Sequence, residues 1–378
     1  MSLAYDVLPV TLVTGFLGSG KSTLIADALT GERARDTAVL VNEFGAVGLD
    51  HLLMGEVGPQ TVLLDNGCLC CAMRGEMKEA LAMLFSRRAR GETPPFSRVI
   101  VETTGLATPA PIIATLLGDA VLASHYTLAA TLTVVDAVNA RTQRAAHPEW
   151  LAQVSAADRF LVTKTDLADA AGVEALIGEL QALNPAAQVH LRDAQAPHAQ
   201  LEDVLGAPVA DPLQAAMHAA SRVGGATRAL RLAGVVRAES AESPEATPEA
   251  TPEATPEATP EATPTAHEAE LARIEAFCAR FDEPLDWAVF TLWLTMLLNR
   301  HGERILRVKG VLALEGSDLP VVLHAVHHLV HPVLHLDAWP DAERSTRLVF
   351  ITDGLSQDAI MASYRRFHAH LHHADVPT

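Results

Sequence analysis

A phosphate-binding loop limits what the N-terminal half of this chain can become. GFLGSGKS, Gly15 to Ser22, satisfies G-x-x-x-x-G-K-[ST] at Gly15, Gly20, Lys21 and Ser22, and Thr23 follows. An apolar run, Val10 to Val13, leads in, and helical sequence, Ser22 to Leu29, leads out. A strand that turns through glycines into a helix curls successive N–H groups onto a phosphate. Gly15, Gly18, Ser19 and Gly20 form that curl. Lys21 is placed to reach the β- and γ-phosphates, and the Ser22 hydroxyl can ligate Mg²⁺.

Six more apolar runs follow: Ala38–Val41, Thr61–Leu64, Arg98–Val101, Leu128–Val135, Phe160–Thr163 and Val189–Leu191. Between them Met77, Leu81, Leu84 and Phe85, and then Val173, Leu176, Ile177 and Leu180, recur at helical spacing. Unalternating strands between amphipathic helices predict an α/β fold whose mostly parallel sheet is covered on both faces. Ligands of such sheets bind beyond the carboxyl ends of the strands.

Two further turns occupy those ends. VIVETTG, Val99 to Gly105, sets Glu102 at a strand tip with a glycine three residues on. This suits a switch turn, in which Glu102 faces the Mg²⁺ shell and the Gly105 N–H meets the γ-phosphate. Asp136, ending LTVVD, is the competing acid; the following glycine favours Glu102. TKTD, Thr163 to Asp166, is similar to the guanine-reading N-K-x-D loop. Lys164 and Asp166 are its candidate base contacts. Asp166 can accept from both N–H groups on the guanine edge, which adenine does not offer. Thr163 stands where asparagine is usual, and a weaker loop brace is expected there.

Three of the four cysteines lie together in NGCLCC, Asn66 to Cys71. Cys68, Cys70 and Cys71 can present three thiolates to one borderline-soft ion, Zn²⁺ or Co²⁺. With no second pair nearby to close a tetrahedron, this pattern suits a transfer site better than a structural one. Adjacent thiols form no disulfide framework and point to the cytoplasm.

The chain has 378 residues, room for two cores, with 49% hydrophobic and 20% charged residues. A net charge of −18 speaks against nucleic acid or an anionic membrane surface as partner. The N-terminus lacks the basic start and long apolar run of a signal peptide, and Trp287 to Leu298 is too short to span a bilayer. From Glu239 to Glu268 runs an acidic Ala-Thr-Pro-Glu repeat that cannot bury enough surface to order itself. We read three parts: a nucleotide domain over 1–236, a tether over 237–268, and a second domain over 269–378.

GFLGSGKST, NEFG (Asn42 to Gly45), GCLCC, ETTG and TKTD, in this order, resemble the CobW-type metallochaperone GTPases. RVKG (Arg307 to Gly310) and RLVFI (Arg347 to Ile351) extend the resemblance past the tether. It implies GTP hydrolysis with Mg²⁺, coupled to transfer of a divalent metal, Zn²⁺ first, from the C-x-C-C to a client metalloprotein. Cobalt delivery for cobalamin synthesis or nitrile hydratase activation is the alternative within the family. A regulatory GTPase with a structural metal is the alternative outside it. A metal- or nucleotide-dependent dimer is compatible with either role. Ala46 replaces a glutamate that many relatives carry after NEFG, leaving Glu43 a doubtful ligand.

The second domain reads as smaller and mixed α/β. Helices are expected over Pro284 to Arg300 and Gln357 to about His370, with strands near Ile305–Leu312, Val321–Val330 and Leu348–Ile351. Its histidines gather in HAVHHLVHPVLH, His324 to His335, and HAHLHH, His368 to His373; both are candidate secondary metal collectors. Cys278 is expected in the core.

Overall fold

All seven apolar runs form strands, and they pair side by side in parallel. The computed structural model describes residues 7–30, 36–42, 61–64, 71–193, 204–205, 273–339 and 342–374. The strands are β1 (Leu8–Thr14), β2 (Thr37–Asn42), β3 (Thr61–Leu64), β4 (Arg98–Glu102), β5 (Tyr126–Asp136), β6 (Arg159–Thr163) and β7 (Gln188–Leu191). Their order is β3-β2-β4-β1-β5-β6-β7, and every pairing is parallel.

Both faces of this sheet are covered, so its strands are apolar throughout rather than alternating. Helix α1 (Lys21–Thr30) buries Leu24, Ile25 and Ala28 against Val13, Val39, Val41 and Val134. Three helices, α2 (Cys71–Ala89), α3 (Pro109–Gly118) and α4 (Ala120–His125), cover the alternate side chains Val10, Leu12, Leu40 and Val101. Helix α5 (Ala140–Ala146) precedes α6 (Pro148–Ala156), and α7 (Ala170–Leu183) follows β6. Proline at the first turn of α3 and α6 costs no hydrogen bond there and marks each start.

A second sheet is built from β8 (Ile274–Phe281), β9 (Ile305–Leu312), β10 (Val321–Val326), β11 (Leu329–Val330), β12 (Leu334–His335) and β13 (Thr346–Asp353). It is antiparallel, in the order β11-β10-β9-β13-β8, with β12 paired to β10. One face carries α8 (Trp287–His301) and α9 (Gln357–Ala374) over Phe277, Phe281, Val308, Leu323 and Phe350. Strand β8 goes beyond the sequence expectation, although Phe277, Ala279 and Phe281 recur with the period of two that a half-covered strand needs. The expected run Val321–Val330 is broken at His327, which adopts a left-handed φ of 51° and turns β10 into β11. Cys278 is buried, as expected.

The second face of this sheet packs on the first domain. Ile274, Leu306 and Ile351 share a buried cluster with Phe16 of the phosphate loop, Trp150 and Val154 of α6 and Leu180 of α7. The register slips by one residue beside Thr352, a bulge that turns Leu306 and Arg307 both toward the first domain. Among the described residues no helix is long and apolar enough to cross a membrane.

Candidate functional site

The phosphate loop follows β1, ETTG follows β4 and TKTD follows β6. Because β4, β1, β5 and β6 are neighbours, three turns distant in sequence meet at one sheet edge. Gly15, Gly18 and Gly20 hold φ of 138°, 72° and 99°, values that L side chains rarely adopt. A Cβ on Gly15 would lie 2.2 Å from the Val134 carbonyl oxygen, so the loop can leave β1 this closely only through glycine. Lys21, 7% exposed, donates from Nζ to the carbonyls of Gly15 (2.8 Å) and Phe16 (3.1 Å). The ammonium is thereby held inside the curl. Ser19 is fully buried beside it, whereas Gly18 and Thr23 lie at the surface.

Of the two candidate acids, only Glu102 faces the loop serine. Ser22 Oγ donates to Glu102 Oε1 at 3.0 Å, and the carboxylate is 5% exposed. Asp136 is engaged elsewhere. Its Oδ1 accepts from the N–H of Val138 at 2.9 Å, and its Oδ2 from Asn139 Nδ2 at 2.8 Å and Lys164 Nζ at 2.7 Å. Burial pushes this carboxyl up; the bonds from Asn139 and Lys164 outweigh it and hold the group below the ordinary carboxylate range.

The ETTG turn lies flat on the phosphate loop. A Cβ on Gly105 would come within 2.5 Å of Leu17 N and 2.7 Å of Leu17 Cα, so no side chain fits between the two backbones. Thr103 anchors the turn to β1, donating from its N–H to Val13 O at 2.9 Å and from its hydroxyl to Thr14 Oγ1 at 2.9 Å.

TKTD departs from the expectation of a weak brace. Thr163 Oγ1 donates to the Ser19 carbonyl at 2.7 Å, and Thr163 is 3% exposed. A hydroxyl reaches the loop here because β6 brings Thr163 alongside Ser19 and Gly20. Lys164 takes a left-handed φ of 57° and pairs with Asp136, while Asp166 stands exposed in the turn.

Cys68, Cys70, Glu43 and most of NEFG lie outside the described residues, as does the tether. In sequence the C-x-C-C falls between β3 and α2, whose first residue is Cys71. In the second domain His331 is buried and stacks on half-buried His324 with ring centroids 4.0 Å apart. His328 and His335 are exposed. Among the described residues no three His, Cys, Asp or Glu side chains converge as a metal site.

Sequence reasoning missed one residue at this edge and three behind it. Gln153 of α6, 1% exposed, donates from Nε2 to the carbonyls of Gly105 and Ala107, each at 3.0 Å. Asp158, just past α6, is buried against Arg307 Nη2 and Lys309 Nζ of β9, the latter at 3.0 Å. Burial alone would push this carboxyl up; Lys309 and Arg307 hold it well below the usual range. The signal for the two cations was RVKG, whose Arg307 and Lys309 sit in apolar strand sequence where a charge needs a partner.

Comparison with known proteins accords with this architecture. Residues 9–191 match the family model described as "CobW/HypB/UreG, nucleotide-binding domain", and 274–367 match "Cobalamin synthesis protein cobW C-terminal domain". The zinc chaperone CobW of Pseudomonas aeruginosa is 33% identical over 369 residues, 95% of this chain and 91% of that protein. The zinc chaperone YjiA of Escherichia coli is 40% identical over 183 residues, 48% of this chain and 57% of that protein. The zinc-regulated GTPase metalloprotein activator 1 of Schizosaccharomyces pombe is 36% identical over 169 residues, 43% of this chain and 40% of that protein. The matches to these last two thus span about half of each relative. The crystal structure of Zn(II)-bound YjiA GTPase superposes with a TM-score of 0.62 at 24% identity, covering 96% of this chain and 99% of that one, a likeness of fold.

Proposed function

The chain belongs to the CobW-type branch of the CobW/HypB/UreG family, and on that premise we propose that it is a GTP-hydrolysing metallochaperone that hands Zn²⁺ to a client metalloprotein. The observation that carries the GTPase half is the Ser22–Glu102 contact at the foot of the phosphate loop. A half-buried hydroxyl facing a buried carboxylate is a hard-oxygen donor set that fits Mg²⁺. When bound there, Mg²⁺ supplies charge that neutralises the β- and γ-phosphate oxygens.

The chain's own residues supply the rest. Lys21 exchanges its two loop carbonyls for phosphate oxygens, and the N–H groups of Gly18 to Thr23 converge on the β-phosphate. Gly105, laid against Leu17, presents the ETTG backbone to the γ-phosphate. Asp166 reads guanine, with Lys164 held beside it by Asp136. Water attacks the γ-phosphorus in line, the bond from phosphorus to the β–γ bridging oxygen breaks, and GDP and phosphate leave. Turnover is slow without a partner, because no arginine finger or water-orienting glutamine accompanies the switch turns in sequence.

The metal is the cargo. Cys68, Cys70 and Cys71 form the proposed thiolate site, and binding releases protons because thiols must ionise. Zinc is preferred over cobalt because the relatives above are named zinc chaperones. The test is GTP and ATP turnover by the full chain, beside Lys21→Ala and Asp166→Ala. We expect Lys21→Ala to abolish hydrolysis and Asp166→Ala to remove the preference for GTP. Equal turnover of ATP and GTP by the unmodified protein would overturn the base assignment.

A further inference from the structure

The end of α6 is held from two sides by groups that belong to different machinery. On one side the Gln153 side-chain amide spans the last carbonyl of ETTG, that of Gly105, and the Ala107 carbonyl just beyond it. A single NH₂ bonded to Gly105 and Ala107 together opposes rotation of the peptides between them. On the other side Arg307 of β9 donates to the carbonyls of Ser155 and Ala157, and with Lys309 pairs with Asp158. Helix-terminal carbonyls carry partial negative charge and lack intrahelical donors, so a guanidinium from another domain is a strong grip on them. Asn184 Nδ2 adds bonds to Val154 O at 3.0 Å and Ala157 O at 2.8 Å.

Arg307, Lys309, Gln153 and Asp158 are all at most 4% exposed, so none of these bonds is a loose surface contact. Gln153 and Ser155 lie within one helical turn. A shift of β9 that drags the α6 carbonyls therefore displaces Gln153, and with it the turn that lies flat on Leu17. The apolar cluster of Phe16, Trp150, Leu306 and Ile351 runs alongside and ties the same strands to the phosphate loop.

We propose that Gln153 is a positioning residue for the turn that meets the γ-phosphate, and that the C-terminal sheet, by gripping α6, sets where Gln153 stands. The C-terminal domain is then a regulator of hydrolysis, and a client that moves β9 is felt at the nucleotide. This rests on the GTPase reading above and specifies its regulation.

The test uses the full chain and two readouts. Gln153→Met keeps volume but removes both donated bonds; Arg307→Lys keeps the charge but loses the fork. Each should lower kcat by about tenfold, with KM for GTP within about twofold, because geometry rather than binding is lost. The double variant should be no slower than the worse single one, since both act along one path. Amide exchange at residues 103–107, measured without nucleotide, should rise in both variants while 98–101 stay protected. Wild-type exchange at 103–107 in Arg307→Lys, or a multiplicative loss in the double variant, would overturn the proposal. Should Arg307→Lys fail to fold, Lys309→Gln is measured in its place with the same expectations. Absence of GTP turnover by the unmodified protein would sink the GTPase reading alone, and the exchange comparison would still decide the coupling.

Discussion

At the scale of single residues, the site depends on groups that cannot be exchanged for close relatives. Gly105→Ala drives a Cβ to 2.5 Å from Leu17 N, a backbone atom with no rotamer by which to step aside. The turn must lift off the phosphate loop. We expect turnover to fall on the order of 10²-fold, the usual cost of ångström-scale misplacement, with GDP binding retained through TKTD. Steady-state hydrolysis beside a fluorescent GDP titration separates the two effects. Thr163→Val keeps shape but removes the donor to Ser19 O, leaving a buried carbonyl short of a partner. A stability loss of about 1–3 kcal/mol is expected. Preference for guanine should persist, since Asp166 is untouched; a denaturant midpoint and a GTP/ATP competition check this.

At the scale of elements, β9 and β10 bring an unusual set of ionisable groups against α6. Burial pushes His331 down to about 4, with Asp158 opposing and Arg307 and Lys309 adding to the shift. An unfolded histidine titrates near 6.5. Between those values the unfolded chain binds a proton that the native chain refuses, so native stability falls as pH drops from about 6.5 to 4. The contribution is fully present above about 6.5 and amounts to roughly 3 kcal/mol when wholly lost. His331→Phe, which can keep the stack on His324, should lessen this acid limb in urea unfolding at pH 7.5 and 5 without removing it, because burial also holds His324 well below the ordinary histidine range. Asp158 acts lower still: its depressed carboxyl stabilises the fold above about pH 3.9 and loses that effect as pH falls further.

For the whole molecule, the two domains share buried side chains and should not melt separately. Phe16, Trp150, Ile274, Leu306 and Ile351 form one cluster across the boundary. Nucleotide binding to the first domain should therefore raise the melting temperature of both, and calorimetry should show one transition whose midpoint climbs with GDP concentration. The proposed metal site joins the same account. Substituting Cys68, Cys70 and Cys71 together with serine should abolish tight Zn²⁺ binding, whereas deleting His368 to His373 should cost only weaker equivalents. Because the C-x-C-C follows β3 in sequence, and β3 belongs to the same parallel sheet as the strand that leads into the phosphate loop, a γ-phosphate should alter metal affinity. Coupling of about 1–3 kcal/mol is expected, equal in both directions. Chelator competition without nucleotide, with GDP and with a non-hydrolysable GTP analogue measures it; identical affinities would favour a regulatory GTPase.

What the sequence by itself determined is local. The phosphate loop, ETTG and TKTD are short strings whose backbone demands, glycine at positive φ or an acid at a strand tip, are met by neighbouring residues. They could be read without a partner in view. The seven parallel strands were legible for a similar reason, since burial on both faces writes itself as continuous apolar runs. The glycine after Glu102 favoured it over Asp136 in sequence, but the contact itself, Ser22 Oγ on Glu102 Oε1, came only from the strand order that brings β4 beside β1. Tertiary structure alone gave Thr163 the Ser19 carbonyl and Gln153 the carbonyls of Gly105 and Ala107. The bonds from β9 to α6 join residues about 150 positions apart. Periodicity reports which face of an element is buried but not what lies against that face, and a polar side chain there is explained only by the partner that packing brings to it.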